Sequence, residues 1–558
     1  MSAGRLLSKA GTLLRTVRHL RADQAACQVG HRVLGPLVRA RASLCHVGIP
    51  GRRDWPMPWR GPSYLPPRET SPDVFTLLGQ SYRTASPRDW NDPERPRLWL
   101  YTCHYLDDLA AEPATDVVTA GALLDRWMAA NPRMTGAGWE PYPLSLRIVN
   151  IVKHLSRCCG ATDARMLSLA HQASALEHQL EYHLRGNHLF ANGKALIFAG
   201  AFCMGSDADR WLRRGTSLII DQIREQFLSD GGHFERSPMY HGLLLWDLCD
   251  LVELSRLCDA PQLRTVANAC RPALAKGLEW YAAMCHPDGD LSFFNDSTGG
   301  VAPLLSQVRD YALRNDVVGA GVVEEGVMVL AASGFRSVGC ERETRLLFDA
   351  GSVGPAFQPG HAHAGTLSVE LSVHGRRVLV NGGVSTYAPG PQRAFERGTE
   401  AHNTVQVDGA DSSEVWSSFR VGRRARVTES GQRSGEGTHE VWAAHDGYAR
   451  FPGQPLHSRR CSLSAGRLEI VDRLSAPVQQ AVARFHLHPG VRPDPRGGGA
   501  ASWMLSDGTA LRITWSAGSP ETRNSSWHPA FGTAVPNTCL EVPFAGSELV
   551  THVTWGDS

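Results

Sequence analysis

Residues 366–381, TLSVELSVHGRRVLVN, read as two strands joined by a turn. Leu367, Val369, Leu371 and Val373 alternate with polar neighbours, His374-Gly375 supplies the turn, and Val378 and Val380 return on a second strand. A period of two belongs to a strand with one apolar face, so the pattern predicts a β-hairpin that buries one side. Further strands are predicted at 404–407, 467–471, 481–487 and 511–515, between clusters of Gly, Pro, Ser and Asp.

Toward the N-terminus the period changes. From about residue 98 to 313 apolar residues recur at helical spacing, as in Leu144, Ile148, Ile151 and Val152, or Leu243, Leu244, Leu248 and Leu251. Helices followed by strands indicate two separate domains and exclude a βαβ arrangement. Residues 48–98, dense in Pro, Arg and Trp, read as an extended segment laid over a folded body. The division that follows is 1–97, 98–326 and 327–558, with polar residues near the helical loops and the first hairpin as the place to seek a site.

Composition narrows the function classes. The 57 Lys+Arg and 55 Asp+Glu leave a formal charge of +2 over 558 residues, which gives no reason to expect a nucleic-acid partner. Thirteen cysteines, odd in number and without a C-x-x-C, support neither a disulfide framework nor a zinc ribbon, and are expected to be buried free thiols. The opening MSAGRLLSKAGTLLRTVRHLRADQAA carries Lys or Arg at 5, 9, 15, 18 and 21, which interrupt any secretory h-region. It reads as a basic amphipathic helix suited to peripheral membrane contact. The most apolar internal run, 195–204, is too short for a transmembrane segment. These features favour a cytoplasmic or inner-membrane-face location, with the periplasm as the alternative.

Four stretches can carry chemistry. Gly186-Asn187-His188, in GNHLFAN before the apolar run, presents polar side chains and free N–H groups at a helix entrance, where Asn187 serves equally well as a cap or as a binding group. In DGGHFERSPMYH (230–241) a carboxylate, a guanidinium, a phenol and an imidazole fall within seven residues, with Glu235, Arg236 and His241 as binding candidates around Tyr240. Arg236, four residues before Tyr240, is placed to stabilise a phenolate. In HPDGDLSFFND (286–296) paired carboxylates accompany an Asp-Gly turn, and turn chemistry accounts for them. In PGHAHAG (359–365) an extended His-x-His puts both imidazoles on one side, and His363, Asn381 and His402 become candidates to converge on a divalent ion.

Taken in order, these stretches, with Trp99-Leu100-Tyr101, His104-Tyr105, WEPYPLSLR (139–147), VLVNGG (378–383) and AHNTVQVDG (401–409), resemble the heparinase II/III family of polysaccharide lyases, from about Trp99 onward. The resemblance implies an (α/α) incomplete helical toroid followed by an antiparallel β-sandwich, with the active cleft between them. It implies β-elimination on an acidic, uronic-acid-containing polysaccharide. Asn187 and His188 would neutralise the uronate carboxylate and stabilise the enolate, Tyr240 would transfer a proton, and His361 would be its partner across the cleft. It also implies one divalent ion, Zn or Ca, at His363, Asn381 and His402, and no organic cofactor. Asn381 stands where many relatives carry Asp, which weakens such a site. The competing readings are a glycoside hydrolase on the same toroid, using Glu235 and Asp288, and a non-catalytic glycan-binding protein of exopolysaccharide metabolism.

Overall fold

The computed structural model describes residues 3–111, 116–157, 160–319, 325–341, 343–494 and 501–556. Two helices open it, α1 (Ala3–Val17) and α2 (Ala22–Leu44). The second was not foreseen, because Gly30, Gly35 and Pro36 break its pattern. The chain runs extended to residue 68 and then forms a small antiparallel sheet of Glu69–Ser71, Val74–Leu77 and Gln80–Arg83, also unforeseen.

The helical domain follows as α3 (Arg97–Tyr105), α4 (Val117–Ala130), α5 (Pro141–Arg157), α6 (Asp163–His178), α7 (Gly186–Phe202), α8 (Ser206–Gln226), α9 (Pro238–Leu257), α10 (Pro261–Met284) and α11 (Leu305–Arg314), packed as successive antiparallel pairs in an incomplete toroid. α7 is its central rod. Every residue of it except His188 is buried, so it is apolar on nearly all sides, as a helix surrounded by others must be. Glycines let α8 lie close against it. A Cβ on Gly200 would come 2.6 Å from the Ala208 carbonyl, and one on Gly215 2.7 Å from the Gly193 carbonyl. Charges enclosed here are paired: Asp250 accepts from Lys153 at 2.6 Å, Lys194 at 2.5 Å and Tyr311 at 2.9 Å. No helix among the described residues is long and apolar enough to cross a membrane.

From Gly326 onward the chain is a β-sandwich. One sheet runs in the order Glu521–Trp527, Val535–Phe544, Ala481–Leu487, Arg376–Leu379, Val369–Val373, Thr344–Asp349, Phe335–Cys340, Gly326–Leu330, with Val405–Val407 also paired to Ala481–Leu487. The second is an antiparallel sheet running from Val427–Gly435 through Arg467–Leu474 and Glu548–Trp555 to Arg492–Pro493. Val369, Leu371, Leu468, Ile470 and Val553 belong to the core between the sheets.

The hairpin that announced this domain departs from expectation in one respect: both of its faces are buried. Its polar positions meet the helical domain instead of water. Glu370 accepts from the Phe293 N–H at 2.8 Å and lies 2.7 Å from His286 Nε2, while Ser372 Oγ is 2.7 Å from His286 Nδ1. Alternation of polar and apolar residues thus marks two different buried interfaces. The described cysteines are free and mostly buried, with Cys27 and Cys45 partly exposed; Cys158 and Cys159 lie outside the described residues.

Candidate active site

Three backbone segments meet where the toroid faces the sandwich, and each carries a left-handed residue beside a functional one. Arg185 (φ 63°) precedes Gly186-Asn187, Arg236 (φ 59°) follows Glu235, and Asn295 (φ 57°) precedes Asp296. Non-glycine residues adopt this region at a cost, and clustering of such strain marks places where side chains are held for a purpose.

The first segment starts α7 earlier than the sequence suggested, at Gly186, so Asn187 lies inside the first turn. It caps nothing: Arg185 occupies the cap position, and Asn187 Oδ1 is buried without a hydrogen-bond partner. Its amide hydrogen-bonds the Tyr142 hydroxyl. The His188 ring lies tilted against Tyr142, centroids 4.4 Å apart, and places Nδ1 3.0 Å from Glu181 Oε1. Burial opposes the imidazolium, but the charge and hydrogen bond of Glu181 outweigh it and raise the His188 pKa above the usual histidine value.

Ser237 caps α9, accepting from the Tyr240 N–H at 3.2 Å, which sets Tyr240 in the first turn. The Tyr240 ring lies 4.0 Å from that of His361, and its hydroxyl lies 3.0 Å from the Tyr387 hydroxyl. Burial, followed by Tyr387 and Asp296, pushes the Tyr240 phenol well above its normal pKa. Arg236 does not relieve this. Its guanidinium turns away to donate to the carbonyls of Ser333 and Gly354, both at 2.8 Å, tying the two domains together. His241 is equally occupied: Nδ1 accepts from the His233 N–H at 3.2 Å and Nε2 lies 2.9 Å from the Gly277 carbonyl, while burial lowers its pKa to about 4. Of the three residues expected around the phenol, only Glu235 faces the cleft. Its carboxylate lies 3.5 Å from His361 Nε2 and faces the Asn187 N–H, and burial raises its pKa against the pull of His361 and His188.

His361 and His363 lie in a turn, not on a strand, yet both reach one carboxylate. Asp296 Oδ2 is 2.8 Å from His361 Nδ1, and Asp296 Oδ1 is 2.8 Å from His363 Nε2. Arg393, on the helix Pro391–Arg397, clamps the same carboxylate at 2.5 and 2.7 Å. Burial works against the Asp296 charge, but Arg393 and the two histidines hold its pKa well below the usual carboxylate range. Sequence reading assigned the Asp296 stretch to turn chemistry, and it gave no role to Tyr142, Glu181, Tyr387 or Arg393, which stand outside the quoted motifs or without a partner in sight.

His363, Asn381 and His402 do converge, but as a hydrogen-bond chain. His363 Nδ1 lies 3.3 Å from His402 Nε2, and His402 Nδ1 lies 3.1 Å from Asn381 Oδ1. That oxygen also accepts from Ser368 Oγ at 2.7 Å, while Asn381 Nδ2 donates to Glu370 at 3.1 Å. The donor atoms a metal would need are already engaged, and the described residues contain no group of three or more His, Cys, Asp or Glu able to hold one. The residues present do not fit a Zn or Ca site. Asp288, the second carboxylate of the hydrolase reading, is held by Arg377 at 2.7 and 3.1 Å.

Comparison with known proteins places the fold. The family model described as Heparinase II/III N-terminus matches residues 123–314, and that described as Heparinase II/III-like, C-terminal matches residues 322–556. Heparin-sulfate lyase of Pedobacter heparinus is 23% identical over 304 residues, covering 48% of this chain and 44% of that protein. The chain thus spans less than half the length of that curated lyase. FtsZ-localized protein C of Caulobacter vibrioides is 25% identical over 441 residues, covering 74% of this chain and 72% of that protein. The crystal structure of heparinase III shares the fold with a TM-score of 0.64 at 16% identity, over 86% of this chain and 79% of that one.

Proposed function

The chain belongs to the heparinase II/III family, and from that premise we propose that it is a polysaccharide lyase that cleaves a uronic-acid-containing polymer by β-elimination. The observation that carries this reading is the contact of Tyr240 with His361. Asp296 holds His361 Nδ1, which leaves Nε2, 3.5 Å from the Glu235 carboxylate, as the ring nitrogen turned to the cleft, and the buried phenol of Tyr240 stays protonated beside it. His361 Nε2 takes the C5 proton, and the Asn187 amide and His188 imidazolium stabilise the carboxylate as it becomes an enolate. The C4–O bond then breaks, Tyr240 protonates the departing oxygen, and a C4–C5 double bond remains. Because the two rings are in contact, both transfers occur on one face of the sugar. This favours a D-glucuronate or D-mannuronate residue, whose C5 hydrogen and C4 oxygen share a face, over their C5 epimers and over D-galacturonate, in which the two lie on opposite faces.

Charge around the centre supports an unsulfated or weakly sulfated substrate. Arg393 is spent on Asp296, Arg236 on backbone carbonyls, Arg185 on Asp23 and Glu225, and Lys194 on Asp247 and Asp250. Glu181 faces His188 and Asp247 faces Lys194, so these pairs leave no cation among them for a sulfate. A second reading is a chain that binds glycan without cleaving it; FtsZ-localized protein C, matched over 74% of this chain, is not named as a lyase.

The test is a panel of uronate polymers, with and without sulfate, followed by ultraviolet absorbance of unsaturated uronate. Absorbing product supports the lyase. New reducing ends without absorbance would indicate hydrolysis, and unchanged polymer bound at the cleft would indicate the second reading.

A further inference from the structure

Charge is distributed unevenly along this chain. The first 44 residues hold eight basic side chains (Arg5, Lys9, Arg15, Arg18, Arg21, Arg32, Arg39, Arg41) and one acidic one, Asp23, in a chain whose formal net charge is +2. Asp23 is about half exposed, 51% of its side chain, and is spent on ion pairs. It pairs with Arg185 beside the active site, while Arg21 lies over the Phe357 ring. α2 is pinned along this inner side by a His31–His183 stack at 3.8 Å and by Arg133, which donates to the Ala42 and Cys45 carbonyls at 2.6 and 2.8 Å. α1 is fixed to the sandwich by Arg15 on Glu414, 2.8 Å from Nε, and by Trp416 Nε1 donating to Thr16 at 3.0 Å.

The outer side is different. Val29, Val33, Leu34, Leu37 and Leu44 are 50–83% exposed, with Leu13, Leu14 and Val17 of α1 also uncovered. At about 100° per residue, Val29, Val33, Leu37 and Leu44 fall within an arc of about 80°, flanked by Arg32 and Arg39 on one edge and Arg41 on the other. All three arginines are exposed. An apolar strip between two cationic edges is the pattern of a helix lying in the plane of a lipid interface.

We propose that the outward face of α2 docks on an anionic lipid bilayer, the apolar strip entering the headgroup boundary and Arg32, Arg39 and Arg41 meeting lipid phosphates. The charge pattern distinguishes this occupant from a second copy of the chain, since two such faces would oppose arginine to arginine.

Full-length protein is mixed with sucrose-loaded vesicles of phosphatidylcholine alone or with phosphatidylglycerol, and sedimented. Co-sedimentation is expected with the anionic vesicles, falling as salt rises. Replacing the three arginines by Gln should weaken binding on the order of a hundredfold, at about tenfold or less per charge. Val33→Asp with Leu37→Asp should abolish it, with Tm unchanged because both sites are on the surface. Absence of wild-type binding, or equal binding to neutral vesicles, overturns the proposal. So does a dimer in light scattering that the Asp pair dissolves without any effect on vesicles.

Discussion

Two histidine clusters share the Asp296 carboxylate, and they differ in what they leave unpaired. On the Oδ1 side His363 passes to His402, then to Asn381, which ends on Ser368 and Glu370; the ring nitrogens and the Asn381 amide are all engaged. On the Oδ2 side, around His361, the buried acceptors Asn187 Oδ1 and Gln358 Oε1 have no hydrogen-bond partner, and Glu235 has only the 3.5 Å approach of His361 Nε2 and the Asn187 N–H. Buried polar groups in proteins are ordinarily satisfied. The closed side therefore specifies the fold, and the open side is prepared for the groups of a substrate. Residue type alone does not separate these roles, since each cluster is built on an imidazole anchored by the same carboxylate.

Asp296→Ala should break both sides at once and give the largest effect. It leaves Arg393, 1% exposed, as a buried charge without its carboxylate and frees both histidines. A stability loss of about 3–5 kcal/mol is expected in urea denaturation, together with loss of elimination. A variant of wild-type stability would show that Asp296 is not the common anchor.

Tyr240→Phe separates the two sides. Turnover should fall about 10²- to 10⁴-fold with Tm unchanged, because one hydroxyl is removed from the open side. His402→Ala should do the reverse, costing about 1–3 kcal/mol by stranding the partners His363 and Asn381, with the activity retained. Were His402→Ala to abolish turnover at wild-type stability, the closed cluster would belong to the reaction.

Much of this arrangement could be read before the structure, and the parts that could not have a common reason. The turn at His374-Gly375, both left-handed at φ 48° and 74°, and the strand Ala481–Leu487 follow from local chemistry. Asn187, Glu235, Tyr240 and His361 were legible because each sits in a dense polar motif. Asp296 was misjudged because its role depends on residues 65 to 97 positions away. Arg236 failed for the converse reason: helical spacing put it near Tyr240, but its left-handed backbone sends it toward Gly354. Local pattern fixes elements and turns; which polar atoms end up paired is decided by the tertiary fold.

Acid should weaken the fold gradually through its buried neutral histidines, one in the closed cluster and one in the toroid. Burial lowers the pKa of His363 to about 4, and His241 likewise, against an unfolded value of about 6.5. The unfolded chain therefore binds protons that the native chain refuses. The stability these groups contribute is full above pH 6.5 and is lost as pH falls from 6.5 toward 4, at about 1.4 kcal/mol per pH unit for each histidine at most. Thermal unfolding between pH 7 and 5 should show Tm falling, and His241→Gln should make that fall shallower. A slope unchanged in His241→Gln would mean that this imidazole is already charged in the native state.

The smallest effect expected is that of a chelator on the wild-type protein, whose Tm should not move. Asn381 presents an amide whose Nδ2 donates to Glu370 at 3.1 Å, and that donor fixes its oxygen toward His402 and Ser368. Asn381→Asp removes the donor and brings two carboxylates together in a buried place, so the variant should be less stable in chelator than wild type. Added Zn²⁺ would offset that repulsion, and should restore the variant's Tm while leaving the wild-type value unchanged. The asymmetry is the informative part. A wild-type Tm that drops in chelator, with metal detected at one equivalent in the purified protein, would mean that His363 and His402 hold an ion instead of each other, and the closed cluster would then owe its order to the metal.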